Sequence, residues 1–143
     1  MKINQATDYA FRAVFYLSLL PSGKVVEAKL IAEDENIPTR FLLKIFPLLI
    51  KAGIVESHRG TGGGYSLARS PAEITLKDVV EAVEGPVTIN RCLISPEGCN
   101  KNHTAVCPIH NALLNIQQTM NRELEKYDFE SLKKNYSQHF PRL

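Results

Sequence analysis

The chain has 143 residues and a mass of 16.0 kDa, which fits one domain or one compact domain with a helical extension. With 44% apolar and 22% charged residues, its composition excludes a disordered tail, a collagen-like repeat and a disulfide scaffold. A net charge of +2 is too small to identify a nucleic-acid-binding protein by itself. Residues 1–70 carry 9 basic against 6 acidic residues (+3), and residues 71–143 carry 8 against 9 (−1). A polyanionic partner would therefore favour the first half.

Hydropathy and cysteine content indicate where the protein acts. No segment reaches the roughly 18 consecutive apolar residues that a membrane-spanning helix needs. The N-terminus resembles neither a signal peptide nor a transit peptide, because Asp8 and Arg12 interrupt its apolar stretch. We expect a cytoplasmic protein without a membrane partner, in a compartment too reducing for structural disulfides. Three cysteines between Cys92 and Cys107 then point to metal or redox chemistry.

The first half of the chain predicts three helices and a hairpin. The helices cover residues 7–20, 28–35 and 38–52, and the strands cover residues 54–59 and 65–68. Thr7-Asp8 would cap the first helix, Pro38 would open the third, and Gly53 would end it. A glycine-rich run over residues 60–64 joins the strands. This order of elements is typical of a winged helix-turn-helix.

The helix that begins at Pro38 is the predicted recognition helix. In a helix-turn-helix the second helix of the pair enters the major groove and reads base edges near its N-terminus. Pro47 is expected to bend this helix or to start its second half anew, because proline cannot donate to the Leu43 carbonyl. Five apolar residues are expected to face the core: Phe41, Leu42, Ile45, Leu48 and Leu49.

Candidate DNA contacts lie on the opposite face of this helix and on the hairpin. Arg40 is the best candidate for a base contact, because its guanidinium can bond guanine O6 and N7 together. Lys44 and Lys51 are expected to touch phosphates. The hairpin tip lacks the residues of a P-loop and is narrow enough to enter the minor groove, with Arg59 at its base. The candidate DNA-binding residues are Thr39, Arg40, Leu43, Lys44, Lys51, Arg59, Gly60, Gly62 and Gly63.

The second half predicts a helix, a loop and a long helix. A capping-box pattern at Thr75 begins a helix that ends at Gly85-Pro86. Residues 87–107 form an irregular loop that holds all the cysteines. A long helix begins at Pro108, and its near-heptad apolar stripe favours helix pairing; a short helix follows around residues 130–136. The stripe consists of Ile109, Leu113, Ile116, Met120, Leu124 and Tyr127.

The cysteine loop carries a candidate metal centre. Six and seven residues separate Cys92, Cys99 and Cys107, and His110 follows the last cysteine by three positions. Three thiolates and an imidazole can hold tetrahedral zinc or an iron–sulfur cluster. The closely spaced cysteine pair of zinc sites is missing, so the wide spacing favours a cluster. Cys107 would lie at a helix N-cap, where the dipole favours thiolate. His103 is a competing ligand without special placement.

Four segments of the sequence resemble the Rrf2 family of winged-helix regulators, and the resemblance spans nearly the full chain. They are Thr7-Asp8-Tyr9-Ala10 with Arg12-Ala13, Lys51-Ala52-Gly53-Ile54-Val55, Arg59-Gly60-Thr61-Gly62-Gly63-Gly64-Tyr65, and the cysteine loop ending Cys107-Pro108-Ile109-His110. The chain is identified as a member of this family, which includes IscR and NsrR.

The resemblance implies a homodimer formed through the long helix and an iron–sulfur cluster on Cys92, Cys99 and Cys107. IscR-like members take a fourth ligand from the histidine that matches His110. NsrR-like members take it from the aspartate that matches Asp8, contributed by the partner subunit. Both residues are present here. We favour Asp8 and a 4Fe–4S cluster over a 2Fe–2S cluster, with nitric oxide, redox state or iron–sulfur status as the signal.

The expected fold is mainly α with a small β-wing, a winged helix-turn-helix plus a long C-terminal dimerisation helix. Residues 1–85 would bind DNA, residues 86–107 would form the cluster loop, and residues 108–143 would form the dimerisation helix and a C-terminal helix. The dimer would read a pseudo-palindromic operator in double-stranded DNA, as a repressor or an activator. A zinc-bound or cluster-free regulator is the closest alternative, and an iron–sulfur carrier or electron-transfer protein is another. We expect no enzyme, because no acid–base set converges.

Overall fold

The computed structural model describes residues 2–139, which form six α-helices and one two-stranded antiparallel sheet. In chain order these elements are α1 (Gln5–Leu19), α2 (Ala28–Glu35), α3 (Thr39–Lys51), β1 (Val55–His58), β2 (Gly64–Leu67), α4 (Leu76–Glu84), α5 (Pro108–Lys126) and α6 (Phe129–His139). Every predicted element is present, with small differences at the ends. Residues 140–143 of the predicted C-terminal segment lie outside the described residues.

Helix α1 begins earlier than predicted because its N-cap is Asn4. Asn4 Oδ1 accepts a hydrogen bond from the backbone N–H of Thr7 at 2.8 Å. Thr7 itself is fully buried, and its hydroxyl donates to Glu84 Oε2 at 2.5 Å. The prediction that Thr7-Asp8 caps α1 was therefore wrong, since Thr7 joins α1 to the end of α4.

A tight turn between α2 and α3 produces the helix-turn-helix. Asn36 adopts a left-handed backbone conformation with φ 53°, which asparagine tolerates better than most residues. Ile37 is buried beneath the turn. Pro38 is the N-cap of α3, and Gly53 follows its end with φ 73°, the left-handed conformation that glycine favours.

Helix α3 continues through Pro47, so of the two expectations, a bend or a new start of the helix, the new start was wrong. Proline removes a single hydrogen bond, and the remaining helical bonds and the packing of the opposite face keep the helix intact. Leu48 was predicted to be core but is 40% exposed, whereas Phe46 is fully buried. The reason is the helical period, because the buried set follows the i, i+3, i+4, i+7 rule. That set is Leu42, Ile45, Phe46 and Leu49.

The wing is fixed to the recognition helix by an aromatic stack. Strands β1 and β2 pair from Val55 with Leu67 to His58 with Gly64. Tyr65 of β2 stacks on Phe46 of α3, with ring centroids 4.0 Å apart and planes 15° apart. The other edge of Tyr65 exchanges two backbone hydrogen bonds with Val26, at 2.8 and 2.9 Å. The hairpin is therefore held by α3 on one face and by the segment before α2 along its edge.

A second backbone bridge attaches the C-terminal helices to this domain. Leu76 N–H donates to the Tyr127 carbonyl at 2.9 Å, and Phe129 N–H donates to the Ile74 carbonyl at 3.0 Å. Phe129 is 1% exposed and belongs to the central apolar core. The bridge joins the start of α4 to the junction between α5 and α6.

Helix α5 is the longest helix of residues 2–139, and none of its 19 residues is buried. Its N-cap is Cys107, as predicted, with Pro108 in the first turn. The preceding loop contains short 3-10 turns at Arg91–Leu93 and Pro96–Gly98. Within the described residues, no helix combines the length and apolar character needed to cross a bilayer.

Candidate functional site

The exposed face of α3 carries all five helix residues predicted to contact DNA. Burial of the i, i+3, i+4, i+7 set leaves Thr39, Arg40, Leu43 and Lys44 in solvent near the N-terminal end. Lys51 is exposed at the C-terminal end. The face therefore combines a guanidinium, two ammonium groups and an apolar side chain.

Arg40 is connected to α1 by a series of contacts that we call the arginine–aromatic ladder. Arg40 Cζ lies 5.5 Å from the centroid of the Phe41 ring. Phe41 meets Tyr9 edge to face, with centroids 5.7 Å apart, and Arg12 Cζ lies 4.8 Å from the Tyr9 ring. Arg12 Nε is in turn 3.4 Å from Asp8 Oδ2. The ladder thus links a candidate base-reading residue to a candidate cluster ligand, through cation–π and edge-to-face contacts.

Glycine is required at the wing tip, both by the backbone conformation and by the lack of space for a side chain. Gly60 and Gly62 have φ values of 88° and 77°, in the left-handed region that L side chains rarely adopt. A Cβ on Gly63 would overlap the carbonyl oxygen of His58. Arg59, Gly60 and Gly62 are exposed and Gly63 is half-buried. The predicted wing residues therefore lie together at one accessible tip.

Arg69 positions the end of the recognition helix, a role that sequence reasoning missed. Its Nε donates to the Gly53 carbonyl at 3.2 Å, and its Nη1 donates to the Glu73 carbonyl at 3.1 Å. The guanidinium also lies 3.8 Å from Asp78 of α4. Arginine can bond several acceptors at once through its planar fork, so one residue joins the ends of three segments. Nothing in the local spacing identifies such a long-range contact.

All three cysteines and His110 line a single cavity of about 200 Å³ at the N-terminal end of α5. Cys92 lies in the middle of the first 3-10 turn, Cys99 caps the end of the second, and Cys107 is the N-cap of α5. His110 lies one turn into α5 and so faces the same space. No disulfide links the cysteines, all of which are described.

Hydrogen-bond donors beside Cys92 and Cys99 suit thiolate ligands. Backbone N–H groups of His103 and Lys101 lower the pKa of the Cys99 thiol below its ordinary value. Asn90 Nδ2 donates to Cys92 Sγ at 3.6 Å. His110 Nδ1 is buried and has no hydrogen-bond partner within the described residues. A buried unpaired imidazole nitrogen costs free energy unless another group completes it.

The donors surround a space without meeting at one point. Among residues 2–139, no three His, Cys, Asp or Glu side chains converge as a single metal ion requires. The protein ligands of an iron–sulfur cluster are distributed over two or more irons, so a cluster does not need all of them to converge on one atom. His103 is exposed and lies outside the cavity lining. Asp8 also lies elsewhere in the chain, on α1, with 60% of its side chain exposed.

Comparison with known proteins establishes the family. The Rrf2 family model, described as iron-dependent transcriptional regulator, matches residues 3–135. The chain belongs to the Rrf2 family. The family resemblance read from the motifs is therefore confirmed, and transcriptional regulation is the role shared by its named relatives.

Relatives and solved structures agree with this assignment. In Mycobacterium tuberculosis, two strains have an HTH-type transcriptional regulator that is 39% identical to this chain over 87 residues. The match covers 61% of this chain and 54% of those proteins, so it spans about half of their length. CymR of B. subtilis, a global cysteine regulator, has a TM-score of 0.78 at 24% identity and covers 94% of this chain and 98% of its own. T. potens IscR has a TM-score of 0.78 at 23% identity, covering 98% and 91%. These likenesses confirm the winged-helix fold.

Arg40→Ala should separate a base contact from a phosphate contact. We expect a loss of about 1–3 kcal/mol in binding to a preferred duplex and a relaxed preference at one base, because the bidentate guanine contact is removed. Lys44→Ala should weaken binding to all sequences equally. It should also reduce the slope of log affinity against log salt concentration by about 1, the value for one lost phosphate contact. Fluorescence anisotropy at several salt concentrations measures both effects, with Lys134→Ala on α6 as the control. Equal losses on every sequence for Arg40→Ala would reassign that residue to the backbone.

Proposed function

We propose that the protein is a homodimeric transcriptional regulator whose operator binding is controlled by an iron–sulfur cluster. The observation that carries this proposal is the single cavity lined by Cys92, Cys99, Cys107 and His110, whose Nδ1 has no hydrogen-bond partner within the described residues. The same chain presents an exposed recognition-helix face and a glycine wing. We call the winged-helix part of the chain, with α3 and the wing, the reading head. A reading head and a thiol-lined cavity in one small chain fit a sensor-regulator that acts in the cytoplasm, where it meets the chromosome.

The residues of the cavity fit an iron–sulfur cluster. Cys92, Cys99 and Cys107 would ligate iron as thiolates, and the lowered pKa of Cys99 favours that form. His110 Nδ1 is a buried nitrogen without a partner, so it supports His110 as the fourth ligand within the chain. When bound, the cluster supplies a centre that responds to redox state, nitric oxide and iron–sulfur supply. A zinc ion fits less well, because tetrahedral zinc needs donors that converge.

Asp8 of the partner subunit is the competing fourth ligand. Asp8 forms an ion pair with Arg12 through Oδ2, and iron ligation would weaken that pair by drawing charge from the carboxylate. Arg12 also donates to the Glu35 carbonyl at the end of α2, at 2.9 Å. A change at Asp8 would therefore act on α2 directly and on Arg40 through the arginine–aromatic ladder. This arrangement gives Asp8 a route to the reading head whether or not it ligates iron.

Helix α5 supplies the surface that a second copy would cover. Three side chains of its apolar stripe are exposed, Ile109 by 70%, Ile116 by 52% and Tyr127 by 48%, and the other three are half-buried. The stripe repeats at near-heptad spacing, which suits pairing between two helices. Two reading heads held by such a pair would meet DNA about one helical turn (~34 Å) apart and read a pseudo-palindrome.

Helix α4 joins the reading head to the cysteine loop that forms the cavity. Glu84, which accepts the Thr7 hydroxyl, ends α4 immediately before the cysteine loop. The start of α4 carries the backbone bridge to the end of α5. Lys77 Nζ reinforces that end through Glu125 at 2.9 Å. Ligand binding in the cavity can therefore bias the position of the head by favouring one of two arrangements.

Two alternatives are distinguished by simple observations. CymR, a global cysteine regulator, has this fold, so a regulator controlled by another signal is the closer alternative. An iron–sulfur carrier or electron-transfer protein would not bind a specific duplex. We propose no enzyme activity, since the cavity lining places neither a carboxylate nor a lysine amine beside the thiols and the imidazole.

Metal analysis of protein purified without oxygen tests the cluster. We expect iron and acid-labile sulfide in equal amounts, with visible absorption that bleaches with nitric oxide. Cys107→Ser should abolish both, because serine is a poor iron ligand. His110→Ala should make the cluster labile, whereas the control His103→Ala should retain it.

The stoichiometry assigns the subgroup. About two irons per chain would support an IscR-like centre with His110, and about four, lost in Asp8→Ala, would support the partner subunit's Asp8 as ligand. Zinc alone, or no metal after attempted reconstitution, would contradict the cluster and leave a DNA-binding regulator with another signal.

Ile116→Asp tests the dimer. A carboxylate placed in the paired apolar stripe should weaken self-association more than tenfold, because burying an unpaired charge costs about 2 kcal/mol or more. Sedimentation equilibrium measures the change. Leu30→Asp on α2, which is similarly exposed, is the matched control and should remain dimeric. Unchanged association of Ile116→Asp would remove α5 from the interface.

A further inference from the structure

Leu43 is the apolar residue in the middle of the base-reading face of α3. Its side chain is 52% exposed, whereas Leu42, Ile45 and Phe46 beside it are fully or almost fully buried. A singly exposed leucine is ordinary on a protein surface, so exposure alone carries little information. The placement is informative, because Leu43 lies one turn after Arg40 on the same helix face and beside Lys44.

The major groove offers few partners for such a side chain. Adenine, guanine and cytosine present hydrogen-bonding groups at their edges, and thymine adds a C5 methyl group. Leucine has no donor or acceptor, so it gains by contact with the methyl group. Against cytosine it would cover the N4 amino group and leave that donor unpaired, which is unfavourable. A leucine at this position would therefore discriminate by attraction to thymine and by a penalty against cytosine.

The helix geometry locates this thymine relative to the guanine of Arg40. Side chains at i and i+3 on a helix have Cβ atoms about 5–6 Å apart. Successive base pairs are about 3.4 Å apart along the duplex. The two residues should therefore read positions one or two base pairs apart.

We propose that Leu43 is a specificity-determining residue that reads the methyl group of a thymine in each half-site, one or two base pairs from the guanine bound by Arg40. The inference rests on the proposed DNA-reading role of α3. It is independent of the signal, and of which residue completes the metal centre.

Replacement of thymine by deoxyuridine removes the single methyl group and tests this contact. The probe is the duplex that the wild-type protein selects from a randomised library, with each thymine pair of the two half-sites replaced in turn. At one position we expect wild-type affinity to fall about fourfold per half-site, since one buried methyl group is lost. Leu43→Ala should bind the thymine and deoxyuridine duplexes equally. Leu48→Ala, another exposed leucine of α3, should remain as sensitive as the wild type.

The outcomes separate this inference from the broader proposal. If no deoxyuridine position weakens the wild type, or if Leu43→Ala retains the sensitivity, the methyl contact is refuted while sequence-specific binding stands. A uniform loss of affinity in Leu43→Ala on all duplexes would instead show a backbone contact and also refute it. If the library yields no preferred duplex, the DNA-reading function itself fails, and the contact with it. Thermal unfolding of each variant confirms that the exposed substitutions leave the fold intact.

Discussion

The attachment of α5 to the winged-helix domain is the constraint on which the rest of the structure depends. No residue of Pro108–Lys126 is buried, so α5 is not held by a core of its own. Its C-terminal end is fixed by the two backbone hydrogen bonds between residues 74–76 and 127–129 and by the burial of Phe129. Its N-terminal end carries Cys107 and His110. One helix therefore presents an apolar stripe along its length, a thiol-lined cavity at one end and an anchor at the other.

This constraint would let a small chain keep the proposed sensing site apart from the proposed DNA-binding surface. The reading head is held together internally, because Phe46 stacks on Tyr65 and Arg69 joins the end of α3 to α4. The cavity is built on 3-10 turns and a helix cap, with few buried contacts, so it can change while the head stays folded. Helix α4 connects the two parts, with Glu84 at the cavity side and the bridge at the other end.

Much of the fold could be predicted because its signals are local. Apolar periodicity identified the helices, the capping box at Thr75 is present as expected, and Gly53 and Cys107 occupy their predicted cap positions. The Leu48 error came from the local helical period, whereas the Thr7 error arose because a distant contact decided the outcome. Thr7 was predicted to cap α1, but its hydroxyl donates a hydrogen bond to Glu84, which lies far along the chain.

The candidate site shows the same limit. Sequence spacing identified the four donors Cys92, Cys99, Cys107 and His110, and the fold brings them to one cavity. Spacing could not rank His110 against Asp8, because the ranking depends on burial and on hydrogen-bond partners. It also could not reveal Arg69 or the arginine–aromatic ladder, which join residues from separate helices. Local sequence predicts which face of a helix is buried, but it does not predict which distant residues that face contacts.

The most direct test of cluster-controlled DNA binding is the dissociation constant for a selected duplex, measured with the same protein before and after removal of the cluster. Both forms should be compared at one ionic strength, because salt strongly changes protein–DNA affinity. Coupling between the cavity and the reading head should change the dissociation constant about tenfold or more, within the usual range for linked sites. Equal dissociation constants for the loaded and stripped protein would contradict control by the cluster.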